Sequence, residues 1–180
     1  SAPPESLLAA HAALSSARVA DPEEFIRRAG SPLGFLSFRP VADGELVPVD
    51  PLAAIAAGAA RGVRLLTGST SEEWKLFSLM VAGPATEDDL RRRVGLLLSG
   101  PDEALEAYNE EYGEGSFADI DGAVLTDMVF RIPMVRMADA HATHTPTYQY
   151  LWDWKSQAWG GMIGAAHAID VPFVFNLIED

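Results

Sequence analysis

The chain has no cysteine among its 180 residues. That excludes disulfides, thiolate zinc sites, iron–sulfur ligation and a cysteine nucleophile. It leaves the compartment open, since secreted proteins can also lack cysteine. Basic charge is scarce: 13 Lys+Arg stand against 26 Asp+Glu, a net charge of −13. Such a surface repels nucleic-acid phosphates and anionic lipid, so neither is expected as a partner. Long apolar runs are missing too. The longest, around Pro51 to Ala60, stops at Arg61, short of the roughly 20 residues a membrane helix needs. No basic n-region opens the chain, so no signal peptide is expected in it. The expectation is a soluble protein, with the cytoplasm favoured over secretion. The start Ser1-Ala2-Pro3-Pro4, without Met, reads as a cut end, and the chain as a piece of a longer protein.

What is present suits a globular domain: 48% hydrophobic and 22% charged residues, in a length that hides roughly 70% of its unfolded surface. Ser6 to Ala17 is Ala/Leu-rich and reads as a helix. Asp21 with Pro22 and Glu24 marks the start of a second helix, which Gly30 ends. Phe35 to Phe38 is a short strand or extended piece, Asp43-Gly44 a turn, and Asp50-Pro51 the cap of a helix over Leu52 to Ala60. Gly62 to Gly68 is an apolar run bounded by glycines, hence a buried strand. Trp74 to Val81 follows as a helix.

Gly83-Pro84 breaks the pattern. Thr86 with Asp89 caps a helix over Glu87 to Leu98, and Pro101 starts another to about Tyr112. Asp121 to Ala142 is a long helical stretch with Pro133 inside it, where a kink is expected. Thr147 to Trp154 alternates Tyr148, Tyr150, Trp152 and Trp154 with Gln149, Leu151 and Asp153, which is strand period. The whole reads as an α/β protein with few sheet strands and a large helical block at about residues 84–142. About three strands are thin for a complete sheet.

Four histidines are present. His11 lies on an Ala-rich helix. His141 and His144 share a helix face, but a metal would want a third ligand, and Asp139 is on another face; two helix-terminal histidines near the negative dipole end is the simpler reading, and no metal or cofactor is expected. His167 follows the glycines Gly160, Gly161 and Gly164, after a strand, where α/β folds place reactive side chains. Locally it could equally be a solvent-facing loop histidine. Glu73 follows a strand, where a carboxylate can orient an imidazole. Glu72 competes for that role, and a first-turn carboxylate meeting a helix dipole is the alternative for either.

A carboxylate before a histidine matches the last two members of the order nucleophile, acid, histidine found in α/β hydrolases. The first member is absent. No window fits Gly-x-Ser-x-Gly: Ser69 and Ser71 follow Gly68 without the second glycine, and no His-Gly-Gly or Gly-Gly-Gly stretch offers an oxyanion hole. The runs Phe38-Arg39-Pro40-Val41-Ala42-Asp43-Gly44, Pro48-Val49-Asp50-Pro51-Leu52, Gly62 to Gly68 through Glu73-Trp74-Lys75-Leu76-Phe77, Tyr148 to Trp154, and Gly164-Ala165-Ala166-His167-Ala168-Ile169-Asp170-Val171-Pro172-Phe173 resemble the type-B carboxylesterases, a group that includes para-nitrobenzyl esterases and, more distantly, cholinesterases. The resemblance spans about residues 30–177.

By position, it implies Glu73, not Glu72, as triad acid and His167 as triad histidine, with Leu76 and Phe77 lining the substrate pocket. Leu76 stands where cholinesterases carry an aromatic, so no choline-type cation–π site is expected. Ala166 replaces a common cysteine without effect on the chemistry. The family's serine and oxyanion glycines lie N-terminal of all these motifs, so the resemblance makes residues 1–180 the C-terminal portion of an α/β-hydrolase catalytic domain. It would supply acid and histidine to ester hydrolysis through a serine outside this chain, and be inactive alone. Its expected partners are a small ester substrate and the missing N-terminal part, with self-association of the piece as a further expectation. A non-catalytic binding or adhesion module on a cholinesterase-like fold is the alternative; a nucleophile at Ser69 or Ser71 is a second one.

Overall fold

The computed structural model describes residues 3–21, 24, 27, 40–47, 49–80, 82–113 and 115–177. Helix α1, Pro4–Ala20, carries Pro at its first turn and is exposed along almost its whole length. The second expected helix and the extended piece at Phe35 to Phe38 lie outside the described residues, apart from the start signal: the Glu24 N–H donates to Asp21 Oδ1 at 2.9 Å. Asp43 builds the expected turn by accepting from the N–H groups of Glu45 and Val47, both at 2.9 Å.

Helix α2, Pro51–Ala56, begins as its cap predicts: Asp50 accepts from the Ala53 N–H. It ends earlier than expected because Gly58 turns left-handed (φ +87) beneath the His144 ring. Strand β1, Leu65–Thr70, starts and ends later than its flanking glycines suggest. Gly68 lies inside the strand rather than closing it, and the Tyr150 ring of the neighbouring strand lies where its side chain would be. Helix α3, Lys75–Ser78, is a single turn, shorter than expected.

The helical block follows. It comprises α4, Glu87–Leu97, α5, Pro101–Tyr112, and α6, Phe117–Thr126. Thr86 caps α4 by accepting from Asp89 N–H, Pro101 opens α5, and Ser116 with Asp119 forms a reciprocal capping box for α6. One face of each helix meets the others in a core of Leu90, Val94, Leu105, Ile120 and Val124, with Leu98, Tyr108 and Met128 packed against it. Asp121 is buried there against Arg93 at 3.0 Å. Burial pushes its carboxyl above the usual range, and the guanidinium only partly offsets this.

α6 runs into a π-helical turn, Asp127–Arg131, and then α7, Ile132–Ala142. The sequence predicts a kink at Pro133; the irregularity is this wider turn just before it, in which Ile132 N–H reaches back to Asp127 O. An extra residue in the turn eases the clash that a proline ring makes with the preceding carbonyls. The block thus bridges β1 to β2, Thr147–Trp152, which pairs parallel to it from Leu65↔Thr147 to Thr70↔Trp152. A parallel pair needs a long crossover, and residues 71–146 supply it. α7 packs on both strands and on α2. His144 Nε2 donates to Ala56 O (2.8 Å), and His141 holds Thr147 Oγ1 (2.7 Å). These two histidines are therefore engaged in joining α2, α7 and β2.

Parallel sheets are ordinarily covered on both faces. Here Leu66 and Tyr148, paired across the strands, are 69% and 60% exposed, and Leu151 is 57% exposed. The described residues thus form a helical core beside a piece of sheet that is only partly covered. The chain closes with a 3₁₀ turn, Ala158–Gly161, and a single turn α8, Val171–Val174. Leu90 is 1% exposed in the core. Leu90→Ala should cost about 3 kcal/mol of unfolding free energy, whereas Leu66→Ala should leave the isolated chain within about 0.5 kcal/mol; urea denaturation followed by circular dichroism distinguishes the two.

Candidate active site

β1 ends at Thr70, and the turn of residues 71–74 folds its own side chain back on the strand end. The Thr70 N–H donates to Glu73 Oε1 at 2.7 Å. The turn is fixed from three other sides. Ser71 N–H donates to Trp152 O at the end of β2. Trp74 N–H donates to Thr126 Oγ1 at the end of α6 (3.0 Å), and Arg131, on the π-helical turn, donates to Ser71 O (3.2 Å). Glu73 is therefore a buried carboxylate, 5% exposed, held by its own backbone neighbour.

Its other oxygen, Oε2, lies 2.6 Å from His167 Nδ1. An ionised carboxylate can only accept, so this contact places the proton on Nδ1. The backbone adds a second tie, His167 N–H to Glu73 O at 3.3 Å. Directly after the histidine, Ala168 adopts φ +65, and Ile169 N–H closes on Ala166 O. A non-glycine residue in that region costs free energy, and here it reverses the chain so that the imidazole faces back toward β1. Phe77 and Phe130 flank the ring with centroids at 5.4 and 5.0 Å. The side chain remains 42% exposed, and among the described residues Nε2 has no hydrogen-bond partner.

Of the residues singled out in the sequence, Glu73, His167 and Phe77 come together. Leu76 is half-buried beside Phe77 on α3. Glu72 points to a different place. Its Oε2 accepts from Ala165 N–H (2.8 Å) and its Oε1 pairs with Lys75 (2.9 Å), while its own N–H donates to Ala165 O. Burial raises the Glu72 pKa, but the Ala165 N–H and the Lys75 ammonium outweigh it, and the carboxyl sits below its usual range. Ser71 donates its hydroxyl to Asp153 Oδ1 (2.6 Å), and Ser69 Oγ is buried. Neither serine is bonded to His167. Phe130 was not visible in the sequence, since nothing in its helical surroundings distinguishes it; the π-helical turn carries it to the imidazole. Among the described residues no group of histidines and carboxylates is arranged to hold a metal.

The parallel strands, the crossover and a carboxylate at the end of one strand facing a histidine after the other define part of an α/β hydrolase. The carboxylesterase family model matches residues 10–179, and the chain belongs to that family. It is 31% identical to the para-nitrobenzyl esterase of Bacillus subtilis (strain 168) over 144 residues, which are 80% of this chain and 28% of that protein. It is 31% identical to the bile salt-activated lipase of Bos taurus, covering 80% of this chain and 27% of the lipase. A carboxylesterase structure from Geobacillus stearothermophilus superposes with a TM-score of 0.62 at 29% identity, over 80% of this chain and 31% of that one. The chain thus spans less than a third of the length of these relatives.

If Glu73 sets the tautomer, Glu73→Gln should reverse it, because an amide can donate to Nδ1 where the carboxylate could not. Nitrogen-15 chemical shifts of neutral His167 should report Nδ1–H in the parent chain and predominantly Nε2–H in the variant.

Proposed function

We propose that this chain supplies the acid and the histidine of a carboxylic-ester hydrolase whose nucleophilic serine and oxyanion donors lie on polypeptide outside residues 1–180. The observation that carries this reading is the 2.6 Å contact between buried Glu73 Oε2 and His167 Nδ1. Family membership supports it, as does the missing Gly-x-Ser-x-Gly window. The named relatives are an esterase and a lipase.

In the completed enzyme the serine Oγ attacks the ester carbonyl while His167 Nε2 takes its proton. The imidazolium so formed carries one proton on each nitrogen, and the Glu73 carboxylate, already in place, stabilises that charge without reorganising. His167 then returns the proton to the leaving alkoxide, the acyl-serine forms, and water enters by the same route in reverse. Phe77 and Phe130 make the wall beside the imidazole apolar, and Leu76 adjoins Phe77 on α3. That suits a small or aromatic ester and limits the side chain's freedom to rotate away from Glu73. The exposed strand residues Leu66, Tyr148 and Leu151 are where the remaining polypeptide packs. Until it does, the same surface favours self-association.

Purified residues 1–180 should not turn over para-nitrophenyl esters above background. Joined to an N-terminal portion that carries the nucleophile, the protein should hydrolyse them. His167→Ala should then abolish turnover, and Glu73→Gln should lower kcat about 10⁴-fold. Turnover by the isolated chain that disappears with His167→Ala would contradict the proposal.

A further inference from the structure

We infer that Glu72 is a positioning residue: its carboxylate anchors the Gly164–Ala165–Ala166 backbone and thereby sets where the His167 imidazole stands against Glu73. The inference rests on the reading of Glu73 and His167 given above, and concerns the residue that competed with Glu73 in the sequence.

The two adjacent glutamates divide the work. Glu73 binds the imidazole, and Glu72 binds the chain that carries it. Glu72 and Ala165 exchange a pair of backbone and side-chain contacts: Ala165 N–H to Glu72 Oε2 at 2.8 Å, and Glu72 N–H to Ala165 O at 3.1 Å. Ala165 and Ala166 are 0% and 1% exposed, so an unsatisfied N–H there has no water to turn to. Ala165 precedes the histidine by only two residues, and a shift of its peptide is passed to His167 with little to absorb it. On the far side the loop is pinned by Ser156 N–H to Gly164 O at 3.0 Å. Lys75 holds the Glu72 carboxylate in place from the first turn of α3 at 2.9 Å.

Gly164 fits this arrangement. Its backbone is left-handed (φ +57), and a Cβ there would collide with Glu72 Oε2 and crowd Lys75 Nζ. The carboxylate and ammonium thus occupy the space that the missing side chain leaves. Close approach of the anchor requires glycine at this point of the loop, independently of the turn it makes. The carboxyl of Glu72 is held below its ordinary range by the Ala165 N–H and Lys75 despite burial, so the anchor stays ionised where the hydrolase would work.

Two readouts on the 180-residue chain test this: hydrogen exchange at the Ala165 amide, and the nitrogen-15 shifts of the His167 ring. Glu72→Ala should raise Ala165 exchange at least about tenfold, since the lost bond is to a charged acceptor. It should also move the ring from a single Nδ1–H form to a mixture of tautomers. Glu72→Gln keeps a carbonyl oxygen for the Ala165 N–H, and should restore exchange to within about threefold of the parent together with the parent ring signature. Unchanged Ala165 exchange in Glu72→Ala would overturn the anchor. Raised exchange with an unchanged ring would overturn the positioning role and leave a structural tie only. Where the alanine variant fails to fold, a folded Glu72→Gln with tenfold faster exchange overturns the inference by itself. Glu73→Gln keeps the two readings apart. It should alter the ring while leaving Ala165 protected; a ring insensitive to Glu73 removes the hydrolase reading, and Ala165 exchange still decides whether Glu72 holds the loop.

Discussion

A single hydrogen bond between a carboxylate and an imidazole organises this molecule. Glu73 Oε2 and His167 Nδ1 meet at 2.6 Å across a sequence separation of 94 residues, and most of the chain between them serves to bring them there. A buried carboxylate is costly unless its lone pairs are taken. Here the Thr70 N–H takes one oxygen and His167 the other. The imidazole is constrained in turn by the two phenylalanine rings and by the Ala168 reversal. The fold itself settles the orientation of the ring, as the proposed general-base role would require.

The helical block contributes more than a crossover. Its core of Leu90, Val94, Leu105, Ile120 and Val124 fixes α6, and the last residue of α6, Thr126, accepts from Trp74 N–H beside the acid. The π-helical turn that follows sends Phe130 to the imidazole and Arg131 to the Ser71 carbonyl. Pro133 disturbs the helix, and the wider turn that accommodates it lies at the candidate site, where such turns are common. The sheet, by contrast, has only two strands among the described residues, with exposed apolar side chains. The matched segment makes up only 28% and 31% of two of the relatives, in keeping with a sheet that is only partly present here.

Local chemistry was well encoded. Asp50, Thr86 and Pro101 announced helix starts where the structure has them, because caps and first-turn prolines act within a few residues. Boundaries that depend on distant neighbours were not legible. β1 runs through Gly68 since the Tyr150 ring of β2 covers it, a fact absent from the local pattern. α6 starts at Phe117 rather than Asp121, although its signal is local: Ser116 with Asp119 repeats the spacing of Thr86 with Asp89. The choice between Glu72 and Glu73 was open from the residues alone, since both follow the strand; family resemblance singled out Glu73, and the turn geometry explains what each glutamate touches. Phe130 carried no local signal at all.

The proposed hydrolysis requires a serine hydroxyl opposite the unoccupied ring nitrogen of His167. The most direct test is a structure of the full-length protein after labelling with an ester-mimicking phosphonate. The expected result is a single phosphonylated serine outside residues 1–180, its Oγ within about 3.2 Å of His167 Nε2 and Glu73 still on Nδ1. A label on a serine remote from His167, or on Ser69 or Ser71, would contradict it.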